Sequence, residues 1–427
     1  MVQCRMSDKD RYVGKPRTLE ANRAQTRMIA MDLESMLPQD HPARAVWAFV
    51  ERLDLSSLYE KIRAREGAPG RPAHDPRILL SLWLLATLDG VGAARRLETL
   101  CRWHLAYQWI CGGVNMNYHS LADFYSGSEE ILKELLVDCV AVLVDQGLVK
   151  LERVAQDGVK VRASAGASSF RTRDRLEELR QIAREQVETL AAELDADPGA
   201  ASRREEAARE RAATSRAERI ERALKQMPEA EARKKSNNGK KKDKARVSTT
   251  DPEARVMKMP DGGFRPAYNV HLVTDTGSQV IVGVKVDNQG TDTHAMAPLA
   301  DQLEENHEVI PTEWLADGGC SSLKNIDVMN KRGSKVFSPL RQRRRSDRNP
   351  SDPCSTDSPA VAEWRARMGT EQAKEIYKQR GATAECVNAQ VRNHGLRQFL
   401  VRGGKKVLSV VLFYVLAHNM QRSWALT

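Results

Sequence analysis

The apolar residues of this 427-residue chain change their period along the sequence, and that change constrains the fold more than any other feature. From residue 30 to residue 150 they recur every three to four positions, as in "DPRILLSLWLLATL", which is typical of helices. After residue 247 they alternate with polar residues, as in "AYNVHLVTDTGSQVIVGVKV", which is typical of two strands joined by a tight turn. The sequence therefore predicts a helical part followed by a mixed-sheet α/β part.

Composition narrows the class of protein. The formal net charge is +10, from 67 Lys and Arg against 57 Asp and Glu, and it favours a polyanionic partner, nucleic acid first. The seven Cys include no CxxC pair, which favours buried thiols in a reducing compartment over a disulfide framework or a zinc ribbon. The longest apolar runs are about 11 residues, too short to span a bilayer, and the amino terminus lacks the apolar core of a signal peptide. We therefore expect a cytoplasmic protein without a membrane partner.

A charge-rich segment interrupts the α/β pattern. Its apolar positions recur at helical spacing on both sides of a Pro198-Gly199 turn, which predicts an antiparallel helical hairpin whose second helix ends near Met227. The stretch "KKSNNGKKKDKAR" then predicts a basic linker. Two roles remain open for this insertion, a passive spacer and a clamp for DNA or a partner. The predicted parts are a helical DNA-binding domain (1–150), an α/β domain (151–171 and 247–427), and the insertion with its linker (172–246).

Two Asp residues occupy short strands of the α/β part. Asp157 lies in "LERVAQDGVKVRASAG", and Asp317 ends the strand in "TEWLADGG". If these strands are neighbours, about 4.8 Å apart, their carboxylates can share hard cations such as Mg²⁺ or Mn²⁺. Two carboxylates leave a two-metal site short of charge, and Glu385 offers a third, in the first turn of a helix that Thr383 would cap.

Each of these carboxylates also has a simpler explanation. Asp157 could be a surface residue at a strand end, Asp317 part of an ordinary turn, and Glu385 a helix N-terminal carboxylate favoured by the macrodipole. Among the other carboxylates, Asp292 is expected to be a helix cap, since Thr291 or Asp292 would cap the helix in "TDTHAMAPLADQLEEN". Asp251 stays open as an alternative third carboxylate.

Three blocks resemble the acidic blocks of bacterial insertion-sequence transposases of the DDE superfamily: "DGVKVRASAG", "LADGGCSS" and "YKQRGATAECVNAQVRNHGLRQFLVRG". The stretch "GRPAHDPRILLSLWLLATLDGVGAARRLETLCRWHLAYQWICGG" similarly resembles the helical domain that precedes the catalytic core of such enzymes. The resemblance covers nearly the whole chain outside residues 172–246. It implies an RNase H-like catalytic fold and a catalytic, metal-binding triad of Asp157, Asp317 and Glu385 that uses Mg²⁺ or Mn²⁺.

The resemblance also implies contacts with DNA. Tyr377, Arg380 and Arg392 fall at the places of the Tyr, Arg and Lys that accompany the Glu in these transposases. Two departures are present: four residues separate Arg380 from Glu385 where many relatives have three, and Arg392 replaces the more usual Lys. The basic run "RQRRRSDR" at 341–348 could contact phosphates or be a solvated loop.

The function implied is metal-dependent strand cleavage at the ends of a DNA element, followed by transfer of the cut strand into target DNA. One cation would activate water or a 3′-hydroxyl, and the other would stabilise the leaving oxygen. The expected partners are double-stranded DNA, as terminal inverted repeats and target, and a second copy of the chain in a DNA-bound homodimer at the nucleoid. Two alternatives remain open: a nuclease of the same fold without strand transfer, and a catalytically inactive DNA-binding remnant.

Overall fold

A computed structural model describes most of the chain, in the ranges 32–65, 67, 71–196, 203–237, 245–340 and 349–426 together with residues 21 and 24. Three sequence features lie wholly or partly outside the described residues: the predicted turn at Pro198-Gly199, residues 238–244 of the basic linker, and the basic run at 341–348.

Helices fill the described part of the chain between residues 33 and 145, as the helical spacing predicts. Asp75 caps one of them by accepting a hydrogen bond from the Arg77 backbone N–H, and Pro76 occupies the first turn, where its missing N–H costs nothing. The bounds are Leu33–Met36 (α1), Pro42–Glu51 (α2), Ser56–Glu60 (α3), Pro76–Leu88 (α4), Ala94–Trp103 (α5), Leu105–Cys111 (α6), Tyr118–Gly127 (α7) and Glu129–Asp145 (α8).

The described strands form two sheets. Their bounds are Arg153–Arg162 (β1), Phe170–Arg171 (β2), Val247–Ser248 (β3), Arg255–Lys258 (β4), Phe264–Asp275 (β5), Ile281–Asp287 (β6), Glu313–Ala316 (β7) and Lys335–Phe337 (β8). The larger sheet has the order β4-β5-β1-β7-β8, and β6 also pairs with β5. Strand β5 is antiparallel to β1, β4 and β6, whereas β1, β7 and β8 are parallel to one another. The fold is therefore a mixed α/β fold, and β5 and β6 form the predicted hairpin.

Strand β1 lies at the centre of the larger sheet and is paired along both edges. Its register on β7 places Gln156 opposite Ala316, and the side chains of Gln156 and Trp314 are also joined by a hydrogen bond of 2.9 Å. Asp157 and Asp317 are the next residues on these two parallel strands. The prediction that they lie on neighbouring strands is confirmed.

Eight further α-helices follow β1 among the described residues. Their bounds are Arg173–Ala196 (α9), Arg203–Asn237 (α10), Met296–His307 (α11), Leu323–Lys331 (α12), Pro359–Met368 (α13), Glu371–Arg380 (α14), Cys386–Asn393 (α15) and Gly404–Leu426 (α16). Ser322 caps α12 through its hydroxyl, which accepts a hydrogen bond from the backbone N–H of Asn325. A π-helical turn, Gly381–Glu385, joins α14 to α15.

Helix α16 connects the N-terminal helices to the sheet. The Ser409 hydroxyl donates to the Tyr125 carbonyl of α7, and the Asn419 side chain exchanges two hydrogen bonds with the backbone of Ile281 at the sheet edge. The helices before residue 150 and the sheet after it consequently share one continuous hydrophobic core. Within the described ranges, no helix combines the length and the apolar character that a membrane crossing requires.

The insertion has a buried cluster of its own. The side chains of α9 and α10 pack on each other and on Val247, separately from the main core. Strands β2 and β3 pair at its base, so the chain leaves and re-enters the α/β part at neighbouring points. The prediction that the second helix ends near Met227 is wrong, because α10 continues through Pro228 to Asn237. Both Met227 and Ala230 are buried, and this packing favours continuation of the helix past the proline.

We predict that the insertion can be removed without unfolding the rest. In the shortened chain, an Asn-Gly turn replaces residues 172–246 and joins Arg171 to Val247. This chain should still unfold cooperatively on heating, because Arg171 and Val247 are already paired and the main core is unchanged. The measurement is circular dichroism during heating of the shortened chain and the full chain. Loss of the cooperative transition would show that the boundaries at 172 and 246 are wrong.

Candidate active site

Asp157 is held on β1 by two groups from the carboxy-terminal helices. The Asn388 side-chain amide donates to one carboxylate oxygen at 2.8 Å, and Arg380 Nη1 lies 3.7 Å from the other. Burial raises the pKa of the Asp157 carboxyl, and the positive charge of Arg380 opposes this shift. The carboxylate therefore stands partly desolvated between an amide and a guanidinium.

Arg380 also contacts Glu385. Its Nη2 donates to Glu385 Oε1 at 2.5 Å, so one guanidinium contacts two of the three predicted triad members. The two residues are five positions apart, and the π-helical turn between them is the kind of turn whose backbone bonds span five residues. The four-residue spacing in the sequence thus coincides with an irregular helical turn.

The prediction that Thr383 caps the helix of Glu385 is wrong. Helix α14 runs through the π-helical turn into α15, so Thr383 lies inside a continuous helical segment. Its hydroxyl donates to the carbonyl of Gln379 at 2.7 Å, a back-bond typical of Thr within helices. Glu385 is accordingly placed by the helix that precedes it and not by a cap.

Asp317 follows β7 directly, beside Asp157 on β1. Its carboxylate accepts hydrogen bonds from the backbone N–H groups of Gly318 and Gly319, at 2.7 and 3.4 Å. A Cβ built on Gly319 would lie 3.3 Å from Asp317 Oδ2 and 3.6 Å from Asp292 Oδ2. The space between these two carboxylates is open because residue 319 has no side chain.

Asp292 does not cap a helix, so the expectation from its sequence context is wrong. It begins a short 3₁₀ turn, but α11 starts only at Met296 and has no side-chain cap. The Asp292 carboxylate instead accepts a hydrogen bond of 2.6 Å from the Asn269 side chain on β5. A Cβ on Gly158 would lie only 2.7 Å from Asp292 Oδ1. Gly158, the residue after Asp157, therefore leaves room for the Asp292 carboxylate.

His271 lies beneath this part of the site. It is fully buried on β5, with Nδ1 3.9 Å from Asp292 Oδ1 and Nε2 3.3 Å from Asp287 Oδ2. Neither ring nitrogen makes an aligned hydrogen bond among the described residues. The imidazole consequently lies between two carboxylates without being fixed by either.

The pKa of the buried Cys320 thiol depends on several of the nearby charges. Burial raises its pKa, and the negative charges of Asp292, Asp157 and Asp317 raise it further, while Arg380 acts in the opposite direction. Asp292 likewise raises the pKa of Asp157. We call the four carboxylates of Asp157, Asp292, Asp317 and Glu385 the acidic cluster.

Of the other predicted residues, Tyr377 lies next to Arg380, whereas Arg392 and Asp251 lie apart from the acidic cluster. The Tyr377 ring lies 5.8 Å from the Arg380 guanidinium carbon, and burial raises the Tyr377 pKa. Arg392 is exposed in the last turn of α15 and makes no contact with the acidic cluster among the described residues. Asp251 is buried elsewhere, where it accepts hydrogen bonds from the Tyr268 hydroxyl and the Gly403 N–H at 2.8 and 3.2 Å.

The ligand types around the acidic cluster fit a hard divalent cation. Besides the carboxylates, Asn269 and Asn388 each have a buried side-chain oxygen that has no hydrogen-bond partner among the described residues, while their nitrogens donate to Asp292 and Asp157. Such oxygens are the ligands that Mg²⁺ and Mn²⁺ prefer. In the described part of the chain, however, no three Asp, Glu, His or Cys side chains lie close enough together to hold a metal ion. The neighbouring positive charge is that of Arg380.

Two family models match the chain. A transposase domain (DUF772) matches residues 31–126, and a transposase DDE domain matches residues 344–424, which include Tyr377, Arg380 and Glu385. Asp157 and Asp317 lie outside both matches. Comparison with curated proteins and with solved structures gave no match.

We predict that Gly158→Ala destabilises the protein by about 1–3 kcal/mol, the usual cost of overpacking, because the new methyl group meets Asp292. Gly92→Ala is the matched control, since a Cβ there meets nothing within 4 Å. Denaturant unfolding measures both.

A double variant identifies the source of this cost. Asp292→Ala removes the atoms that the methyl group meets, so Gly158→Ala should cost clearly less free energy in that background. An equal cost in both backgrounds would place the strain somewhere other than Asp292.

Proposed function

We propose that this chain, which belongs to the insertion-sequence DDE transposases, cleaves DNA at the ends of its element and joins the cut ends to target DNA. The observation that carries the proposal is the acidic cluster: Asp157 on β1 and Glu385 both contact Arg380, and Asp317 directly follows the strand that pairs with β1. The substrates would be terminal-repeat and target duplexes. A homodimer would hold two element ends.

The sheet supports an RNase H-like interpretation of the catalytic domain. Antiparallel β6, β5 and β1 continue into parallel β7 and β8, with Asp157 on the central strand. Carboxylates on neighbouring central strands are what the resemblance to DDE transposases implies for this fold.

We propose that Asp157, Asp317 and Glu385 hold the divalent cations, with Asp292 as a fourth carboxylate. When bound, such cations supply an activated water or 3′-hydroxyl and stabilise charge on the leaving oxygen. The amide groups of Asn388 and Asn269 would keep Asp157 and Asp292 turned towards the site. No covalent intermediate with the protein is required.

We propose that Arg380 is a phosphate-binding residue. Its guanidinium is paired with Asp157 and Glu385 and lies near the ring of Tyr377. If cations neutralise the two carboxylates, the guanidinium becomes available for a phosphate oxygen at the same place, where its planar donors suit bidentate contact. Exposed Arg392 would contact the duplex farther from the cut bond.

We predict that Glu385→Gln lowers strand cleavage by about 10²-fold or more, the loss that follows removal of one preorganised electrostatic group. Affinity for DNA should be nearly unchanged, because phosphate neutralisation by Lys and Arg supplies most of it. The measurements are Mg²⁺-dependent nicking of a terminal-repeat duplex and a gel-shift titration at fixed salt. Glu375→Gln, exposed on α14, is the matched control.

The same assay separates the alternatives. Retained nicking in Glu385→Gln would exclude Glu385 as the third carboxylate, and lost DNA binding would assign it a structural role. Wild-type protein that nicks without joining the ends to a target duplex would be a nuclease instead of a transposase.

We predict that Asp292→Asn lowers both cation affinity and cleavage by about 10- to 100-fold, as substitutions that disturb metal ligation commonly do. The Asn keeps the shape of the side chain and removes its charge. Calorimetric titration with Mn²⁺ gives a measurement that does not depend on turnover. Asp301→Asn on α11, whose Asp pairs with Arg332, is the control. Unchanged Mn²⁺ affinity in Asp292→Asn would remove Asp292 from the cation site.

A further inference from the structure

A cleft lies between the insertion and the α/β part. Its volume is about 820 Å³, and its walls are the carboxy-terminal half of α10, the start of the chain after the insertion, the edge strand β4 and the loop after β6. The lining residues used below are Arg233, Lys234, Arg246, Arg255 and His294.

The lining of this cleft is strongly basic. It carries four Arg and Lys side chains and one His, and no carboxylate lines it among the described residues. Glu229, next to the cleft, pairs with Arg233 and lies 3.9 Å from Arg255, so the proposal relies on Lys234 and Arg246. The chain as a whole has nearly as many acidic as basic residues, 57 Asp and Glu against 67 Lys and Arg. The lining of the cleft therefore differs in charge from the average of the chain. Lys234, Arg246 and His294 are exposed. A surface of this kind fits a polyanion.

The cleft also contains apolar surface. Phe170 is half-buried at its base, and Val256 on β4 is 48% exposed. Cationic grooves with an aromatic side chain are typical of surfaces that bind single-stranded nucleic acid, because bases stack on the ring while the backbone meets the charges.

Two hydrogen bonds fix the walls relative to each other. Arg233 Nη1 donates to the carbonyl of Asn288 at 3.2 Å, and Arg255 Nη2 donates to Gln226 Oε1 at 3.0 Å. These contacts place α10 against both the loop after β6 and the edge strand. The cleft is therefore built by the insertion together with the α/β part.

The position of the cleft links it to the acidic cluster. Thr291 and His294 line it, and Asp292 lies between these two residues on the same short turn. The cleft thus borders the turn that carries one member of the acidic cluster.

We propose that this cleft binds the phosphodiester backbone of the DNA strand that is cut and leads it, unpaired, to the acidic cluster. The inference rests on the proposed function and assigns the insertion a role in holding substrate. Lys234 and Arg246 contact phosphates, and Phe170 supports a base.

The test compares two double variants of the full chain. Lys234→Ala/Arg246→Ala removes two exposed charges from the cleft, and Arg209→Ala/Arg216→Ala removes two exposed charges from α10 outside it. Binding of a fluorescent 25-nucleotide single strand, and of the matching duplex, is measured between 50 and 200 mM NaCl without divalent cation. Both variants have the same net charge, and circular dichroism verifies their helix content.

The cleft variant should reduce the slope of log affinity against log salt for the single strand by about 1.4, since each lost phosphate contact removes about 0.7. The control should stay within about 0.3 of wild type. Equal slopes for wild type and cleft variant, or equal losses in both variants, would overturn the proposal, and so would a loss confined to the duplex. Wild-type protein that binds neither DNA would instead contradict the proposed function itself.

Discussion

Strand β1 is paired on both edges, antiparallel to β5 and parallel to β7, and the position of every residue in the acidic cluster depends on it. The pairing with β7 sets Asp157 beside Asp317, and the pairing with β5 brings Asn269 to the side of Gly158. Because side chains alternate across a strand, a shift of one residue in either register would turn Asp157 to the opposite face. The Gln156–Trp314 hydrogen bond and the buried side chains beside it oppose such a shift.

The acidic cluster lowers the stability of the fold that places it. Burial and the charge of Asp292 raise the pKa of Asp157, which means that its ionised form is disfavoured at the place where the sheet puts it. Arg380 and Asn388 offset part of this cost, the first by its charge and the second by a hydrogen bond. Any cationic ligand that binds these carboxylates in the folded chain alone will stabilise that chain, by an amount that rises with the logarithm of the ratio of its concentration to its Kd. If the four side chains bind a cation as proposed, cation binding and the stability of the fold are linked through them.

The sequence predicts those parts of the site that follow from local periodicity. Alternation predicted the β5–β6 hairpin, and short apolar runs predicted that Asp157 and Asp317 occupy neighbouring strands. Helical periodicity could not predict that α14 continues into α15 through a π-helical turn, because the turn depends on packing as well as on local sequence. The same limit explains Asp292, which has the sequence context of a helix cap but is bound by Asn269, 23 residues earlier on another strand. Both the π-helical turn and the position of Asp292 depend on contacts between distant elements, which a single sequence does not reveal.

The insertion and the acidic cluster are mechanically connected through the loop after β6. This loop receives a hydrogen bond from Arg233 of α10 at Asn288, and four residues later it carries the Asp292 carboxylate to the site. A ligand that moves α10 relative to the sheet must therefore either break the Arg233 contact or displace the segment that positions Asp292. By thermodynamic reciprocity, a cation that fixes Asp292 will alter the affinity of the cleft for its ligand by the same factor as that ligand alters cation affinity. Under the proposed function, an insertion placed in this way would couple the holding of a strand to the positioning of the carboxylates that would cut it.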